Sequence, residues 1–370
     1  MLRSYLVSAV FGVLIFGALL LNLILPDPAI LQSERRTPAA FPEFTAKTFF
    51  SAEYMGNIGK YAADNFVLRD ALRTVRAVSV FDIFMQTDKR GLFYDKNTGA
   101  GKFEKLNEAS IIKAADKIKK LCAFFPNLDI YFAAIPDKSV YTSRYYPGFD
   151  ILEAERILSG RIEGASFISL TDVMTGEDFY RTDIHWDQPK LIREGGVLDA
   201  LCEGIGAPDF SDVNFTVNTA GDFFGVYKGQ LALPLSPDTM KYVTCDISEG
   251  AAVKYFNPAA DAWESGAVYD PAAVNGRDPY DLFLGGVQPL ITIENPKAKT
   301  NRQLYIFRDS FGSSLAPLLA FAYNKITIID MRYIDSRVLG QYVDFAEENA
   351  DVLFLYSSQI LNNPDVLLIK

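Results

Sequence analysis

Residues 5–25, YLVSAVFGVLIFGALLLNLIL, carry no charged side chain. At about 1.5 Å of rise per helical residue such a run can cross roughly 30 Å of hydrocarbon. This requirement shapes everything that follows, because the rest of the chain must then be a domain carried on a membrane span. A removable signal would have a shorter apolar core and a small-residue cleavage site close behind it, whereas Pro26, Asp27 and Pro28 follow directly here. Residues 1–30 are therefore expected to be an N-terminal transmembrane anchor at the cell membrane. Arg3 precedes the run, and Arg35 and Arg36 lie shortly after it, so the basic residues do not settle orientation. A short cytoplasmic tail with an extracytoplasmic domain is the simpler topology. Residues 31–45, rich in proline and polar side chains, read as a linker, and residues 46–370 as the domain it carries.

That domain has ample material for a core, since 49% of the 370 residues are hydrophobic and 13% aromatic. A net charge of −10 excludes nucleic acid as a partner, because a polyphosphate needs a concentrated basic surface. A neutral, sugar-like substrate suits the acidic balance better. Cys122, Cys202 and Cys245 are too few and too scattered for a disulfide framework or a zinc site. No metal site and no cofactor are expected.

Beyond residue 107 helix and strand patterns alternate. Residues 108–126 place Ile111, Ile112, Ala115, Ile118 and Leu121 on one helical face. Residues 128–136, LDIYFAAIP, follow as a nearly continuous apolar strand. Strands are also expected at 165–170, 302–307, 325–330 and 351–356, with a helix at 312–323. This alternation predicts an α/β fold around a mostly parallel sheet. Residues 206–286, rich in Gly, Asp, Asn, Pro and aromatics, read as an irregular β-rich insertion. Earlier in the chain, three-and-four spacing over 65–81 predicts an amphipathic helix.

The chain has a single histidine, His185, in FYRTDIHWDQ (179–188). If residues 180–183 continue a strand, Asp183 and His185 stand at i and i+2 and project to the same side, where the carboxylate can hold one ring nitrogen. Asp187, before Gln188 and Pro189, reads as a helix cap, with Leu191, Val197, Leu198, Leu201 and Ile205 marking the buried face that follows. A histidine oriented by an aspartate needs a nucleophile. YIFRDSFGSS puts Ser310 straight after an apolar strand and at the start of a helix, exposing its hydroxyl at a strand's carboxyl end. Helix amides there can stabilise developing negative charge. The plain alternative stands beside this one: Asp309 or Ser310 is an ordinary N-cap, and His185 a packed side chain.

Taken together, the D-x-H-W loop before a helix and the downstream strand, R-D-S-F-G, helix and strand resemble the DHHW family, which is related to the alginate O-acetyltransferases among the SGNH hydrolase-like proteins. SERRTPAAFPEF, YAADNFVLRDAL (61–72), IPDKSVY (135–141) and MRY (331–333) are similar to further stretches of that family. The likeness covers most of residues 33–360, the insertion least. It implies a three-layer SGNH hydrolase-like sandwich with Ser310, His185 and Asp183 as a catalytic triad, and Arg332 near the site. Where the family's name implies two histidines, Ile184 replaces the first, which bears on substrate contacts more than on the triad. Trp186 either lines a sugar site or packs beside the helix start.

The resemblance implies O-acetylation of an exported or cell-wall polysaccharide. Hydrolysis of such an ester and carbohydrate binding without catalysis are the alternatives. An exported transferase cannot draw directly on cytoplasmic acetyl-CoA, so the resemblance also implies a membrane-bound O-acyltransferase partner as acetyl donor.

Overall fold

The computed structural model describes residues 2–31, 33–45, 48, 51–142, 148–345 and 349–370. The expected domain start at residue 46 lies outside the described residues. The chain forms two compact units, residues 1–89 with 228–235, and residues 90–227 with 236–370.

In the first unit, α1 (Leu2–Ile24) is long and apolar enough to cross a membrane and buries none of its apolar window. Helix α2 (Ala52–Asn65) begins at Ser51, whose hydroxyl accepts from the Tyr54 amide (3.1 Å) and satisfies one of the free donors of the first turn. The stretch read as a linker is tied down onto this helix. Arg36 donates to both oxygens of Asp64 at 2.6 Å and the Ala39 amide adds a third bond at 2.9 Å. The Arg36 guanidinium holds the Asp64 carboxyl at about 2. The helix expected across 65–81 is interrupted at residues 66–68, because Leu68 adopts a left-handed backbone (φ 58°). It restarts as α3 (Arg69–Val78) and runs into a π-turn at Ser79–Ile83.

The second unit is built on an eight-stranded sheet: β1 (Asp129–Ile135), β2 (Ala165–Ser169), β3 (Ala252–Asn257), β4 (Ala262–Gly266), β5 (Leu290–Glu294), β6 (Gln303–Arg308), β7 (Lys325–Ile329) and β8 (Ala350–Ser357). Their spatial order is β2-β1-β8-β6-β7-β5-β3-β4. The five strands from β2 to β7 are parallel, and β5, β3 and β4 extend the sheet by antiparallel pairing. The central parallel strands β8 and β6 are buried almost end to end, as strands covered on both faces are, whereas the edge strand β2 exposes Ser166 and Ser169. Along β6, Leu304 and Ile306 pack with α6 (Val197–Gly204) and α7 (Phe311–Leu319), while Tyr305 and Phe307 pack with α4 (Glu108–Cys122) and α5 (Ile151–Arg161). The fold is thus mixed α/β with a large, mostly parallel central sheet.

Local chemistry sets the helix ends. Asn107 accepts from the Ser110 amide (3.2 Å), Glu108 lies in the first turn of α4, and Lys119 and Lys120 lie in its last, the arrangement a helix dipole favours. The long helix expected after Asp187 is instead two pieces, Gln188–Leu191 and α6. Gly195, with φ +64°, and Gly196 separate them, while Leu191, Val197, Leu198, Leu201 and Ile205 are all buried as the pattern predicts. The 206–286 segment is β-rich, with a hairpin of Phe215–Phe223 and Asp238–Cys245. It also delivers β3 and β4 to the main sheet, which its composition did not announce. Cys202 and Cys245 are buried, and Cys122 is partly so.

Candidate active site

Ser310 stands at the carboxyl end of β6, on the first turn of α7, where parallel α/β sheets open a crevice. The capping question resolves by division of labour. Asp309 Oδ1 accepts from the Phe311 amide (3.0 Å), and its Oδ2 from the Ser357 amide of β8 (2.7 Å). Asp309 therefore caps the helix and fastens it to the neighbouring strand. The Ser310 side chain makes no cap bond, and its Oγ lies 2.8 Å from His185 Nε2.

His185 is presented by a loop rather than by a strand. An isolated antiparallel bridge joins Phe179 to Trp186, and the Tyr180 amide donates to the His185 carbonyl (3.0 Å), so residues 180–185 form a closed bend. Within it Asp183 Oδ1 accepts from the His185 backbone amide (3.1 Å) and lies 2.7 Å from Nδ1. The tautomer that lets Nδ1 donate to this carboxylate leaves Nε2 to accept the Ser310 proton. The other carboxylate oxygen, Oδ2, accepts from the Val226 amide (2.8 Å). Asp183, His185 and Ser310 are thus brought into one hydrogen-bonded line.

What holds the bend is a set of bonds from distant segments. Lys138 is 1% exposed, and its ammonium donates to the carbonyls of Ala100 (2.9 Å), Tyr180 (2.5 Å) and Asp183 (2.7 Å). Three acceptors match its three protons. Burial pushes its pKa down to about 8, against the pull of Asp183 and other nearby carboxylates. Asp238 accepts from the amides of Arg181 (2.8 Å) and Thr182 (2.7 Å) and from the Thr182 hydroxyl (2.6 Å). Gly225 and Gly99 press against the same backbone. A Cβ on Gly225 would stand 2.3 Å from the Thr182 carbonyl carbon, and one on Gly99 2.3 Å from the Arg181 oxygen, so only glycine fits at either place.

Trp186 takes the packing alternative. It is fully buried, meets Phe311 edge to face at 5.3 Å, and donates from Nε1 to Ser314 Oγ (2.8 Å). It supports the site from behind. Asp187 occupies the cap position, but its carboxylate accepts from no helix amide. One of its oxygens is buried without a partner among the described residues, and burial pushes its pKa up. Arg332 lies beyond the end of β7, with Nε and Nη2 on the two oxygens of Asp330 (2.8 and 2.6 Å). No hydrogen bond joins it to Ser310 or His185 among the described residues. Arg308 shares Asp330 (3.1 Å) and is itself buried, with Nε and Nη2 unpartnered among the described residues.

Sequence reasoning missed Tyr280. Its ring stacks on the His185 imidazole with centroids 3.8 Å apart and planes 12° from parallel, and its hydroxyl lies 2.8 Å from Ser314 Oγ. It comes from the 206–286 segment, as do Val226 and Asp238, so the insertion walls the site. Asp278-Pro279 before Tyr280 gave a turn signal only: Asp278 accepts from the Tyr280 amide (3.1 Å).

The fold is similar to that of Bacillus cereus PatB1, with a TM-score of 0.57 and 19% identity over 73% of this chain and 96% of that one. A PatB1 structure with a sulfonyl adduct gives 0.58 and 18%, over 73% and 95%. A DHHW family protein from Eubacterium siraeum gives 0.59 and 16%, over 75% and 94%. At these identities the likeness is one of fold. No protein-family model matches the chain, and no curated protein is similar to it in sequence.

Proposed function

We propose that this chain is a membrane-anchored, SGNH hydrolase-like O-acetyltransferase that moves acetyl groups onto hydroxyls of an exported or cell-wall polysaccharide through an ester on Ser310. The observation that carries the reading is the line Asp183 Oδ1, His185 Nδ1, His185 Nε2, Ser310 Oγ, with steps of 2.7 and 2.8 Å. Fold likeness to a DHHW family protein, and to PatB1, of which a form with a sulfonyl adduct exists, supports it. So does the D-x-H-W and R-D-S-F-G pairing in the sequence.

In this mechanism His185 removes the Ser310 proton as Oγ attacks the acetyl carbonyl, and Asp183 stabilises the imidazolium. The oxyanion forms at the amino end of α7, where the Phe311 amide is already taken by Asp309. The Ser310 amide, which has no acceptor among the described residues, is the donor placed for it. His185 then protonates the departing donor oxygen, leaving acetyl-Ser310. A sugar hydroxyl gives its proton to His185, attacks the ester and leaves acetylated, and His185 passes that proton to the departing Ser310 Oγ, which restores both groups. Arg332 contributes to acceptor binding. Anchored by α1 with its catalytic unit outside the membrane, the enzyme receives acetyl groups from a membrane-bound O-acyltransferase.

The test is intact and peptide mass after exposing the full chain in detergent to an activated acetyl ester. The peptide containing Ser310 gains one acetyl group, and Ser310→Ala does not. An oligosaccharide acceptor then accelerates loss of the ester and becomes acetylated. Loss to water alone, whatever acceptor is offered, replaces transfer with hydrolysis, and failure to form the ester with any donor leaves a carbohydrate-binding module.

A further inference from the structure

Helix α3 is amphipathic with its faces exchanged. Leu68, Leu72 and Val75, which share one stripe at helical spacing, are 68%, 51% and 63% exposed. Arg69 and Arg73 turn inward instead, to within 2.8 and 3.0 Å of Glu34, with side chains 14% and 22% exposed. The apolar surface continues from the end of the π-turn, where Ile83, Phe84 and Met85 are 67%, 69% and 79% exposed. A chain folding in water buries leucine and leaves arginine outside. The reverse arrangement fits a surface whose surroundings are apolar, and a contiguous patch of large side chains marks an interaction face.

Within the same unit, the segment leading into α3 is tied to the end of α1 and the residues just beyond it. The Asn22 side chain accepts from the Val67 amide (2.7 Å), and the Tyr61 hydroxyl donates to Asp27 (2.9 Å). Leu14, Ile15, Ala18 and Leu19 of α1 line one groove with Phe41 and Phe66. Asn22 lies two residues before the end of α1 at Ile24, only about 3 Å along a helix axis. Whatever surrounds the last turns of α1 therefore surrounds the start of α3.

We propose that residues 66–85 form a lipid-seated shelf, with Leu68, Leu72, Val75, Ile83, Phe84 and Met85 in the boundary between headgroups and acyl chains. The inference rests on the reading of α1 as a membrane span. Interfacial helices seat their apolar face about 5–10 Å into that boundary, the level that the Asn22–Val67 bond sets. Arg76, exposed on α3, is placed for lipid phosphate. The continuity of the apolar face with the lipid-facing surface of α1 is what favours lipid over a protein groove.

The full chain in liposomes provides the test, using Phe16→Trp in α1, Leu72→Trp and Phe84→Trp on the shelf, and Leu152→Trp on the exposed surface of the other unit. Native Trp186 and Trp263 give a constant background. Brominated acyl chains should quench emission from positions 72 and 84 as they do position 16, aqueous iodide should not reach them, and position 152 should behave oppositely. Two shelf positions guard against one variant misfolding, which circular dichroism would reveal. If position 16 is quenched by bromolipid but 72 and 84 respond only to iodide, the shelf is wrong and the anchor stands. If position 16 is not quenched, the anchor itself is wrong. Shielding of 72 and 84 that appears in native membranes and not in pure lipid would assign the face to a protein partner and overturn the lipid assignment.

Discussion

Ser310 and His185 meet at 2.8 Å, but the two sides of that contact are built differently. The serine side is regular: a buried strand, a two-residue turn and a helix, with Asp309 making both fastening bonds. The histidine side is a bend with no repeating backbone pattern, and its shape is imposed from outside by Lys138, Asp238, Val226 and two glycines. A regular element positions a group through its own hydrogen bonds. A bend does so only as well as its neighbours hold it, so damage to catalysis should be local on one side and distributed on the other.

Changes on the histidine side sharpen this contrast in order of size. Asp183→Asn keeps the shape but presents an amide where Nδ1–H needs an acceptor. Acetyl transfer should fall by a factor on the order of 10⁴, measured as kcat, as in other triads with the wrong tautomer. A wild-type rate would remove Asp183 from the mechanism. Lys138→Met preserves volume but strips donors from three buried carbonyls, each costing about 1–3 kcal/mol if left unpaired. We expect kcat to drop roughly 10–100-fold, on the order of 1.4–2.8 kcal/mol, with KM little changed. A variant that binds acceptor poorly but turns over normally would show that Lys138 shapes the substrate surface instead.

Lys138 also predicts a pH signature. Its pKa lies near 8 in the folded chain against an ordinary 10.5, so raising pH through about 8 removes a donor and a charge from the bend, and activity should decline there. Between about 8 and 10.5 the unfolded chain holds a proton that the folded chain does not. The contribution of this group to stability therefore rises with pH across that window. Activity and this part of stability should move in opposite directions, and Lys138→Met should abolish both trends. Rate and denaturant-midpoint profiles measured side by side would check it.

The smallest effects belong to the junction behind the site. Ser314 Oγ accepts from Trp186 Nε1 and meets the Tyr280 hydroxyl, so Ser314→Ala leaves two buried donors and should cost about 2 kcal/mol of stability by denaturant titration. Tyr280→Phe keeps the stack on His185 and loses one hydrogen bond, about 1 kcal/mol. A larger loss in turnover for Tyr280→Phe than for Lys138→Met would reverse the proposed ranking.

The same contrast explains what could be read in advance. A continuous apolar run followed by a polar turn marks a buried strand and its helix whatever surrounds them, so β6, α7 and the position of Ser310 were legible. Asp183 and His185 were legible as chemistry, but the expected strand became a bend because its shape depends on side chains up to 57 residues away. Lys138 looks like any surface lysine until three carbonyls converge on it. Tyr280 and β5 were missed for different reasons: the first lies in a segment without periodicity, while the second, LITIE between Pro289 and Asn295, was an apolar run bounded by breakers that deserved a strand assignment.

The fastenings of the bend have a consequence for how the molecule forms. Lys138 reaches Asp183 across 45 residues, Val226 across 43 and Asp238 reaches Thr182 across 56, while His185 and Ser310 are 125 apart. Each closure spends chain entropy before its bond repays it, and non-local contacts slow folding in general. The central sheet is itself non-local, pairing Asp129 with Asp351, and the bend needs these further closures besides, so competence to accept an acetyl group should return no earlier in refolding than far-ultraviolet dichroism.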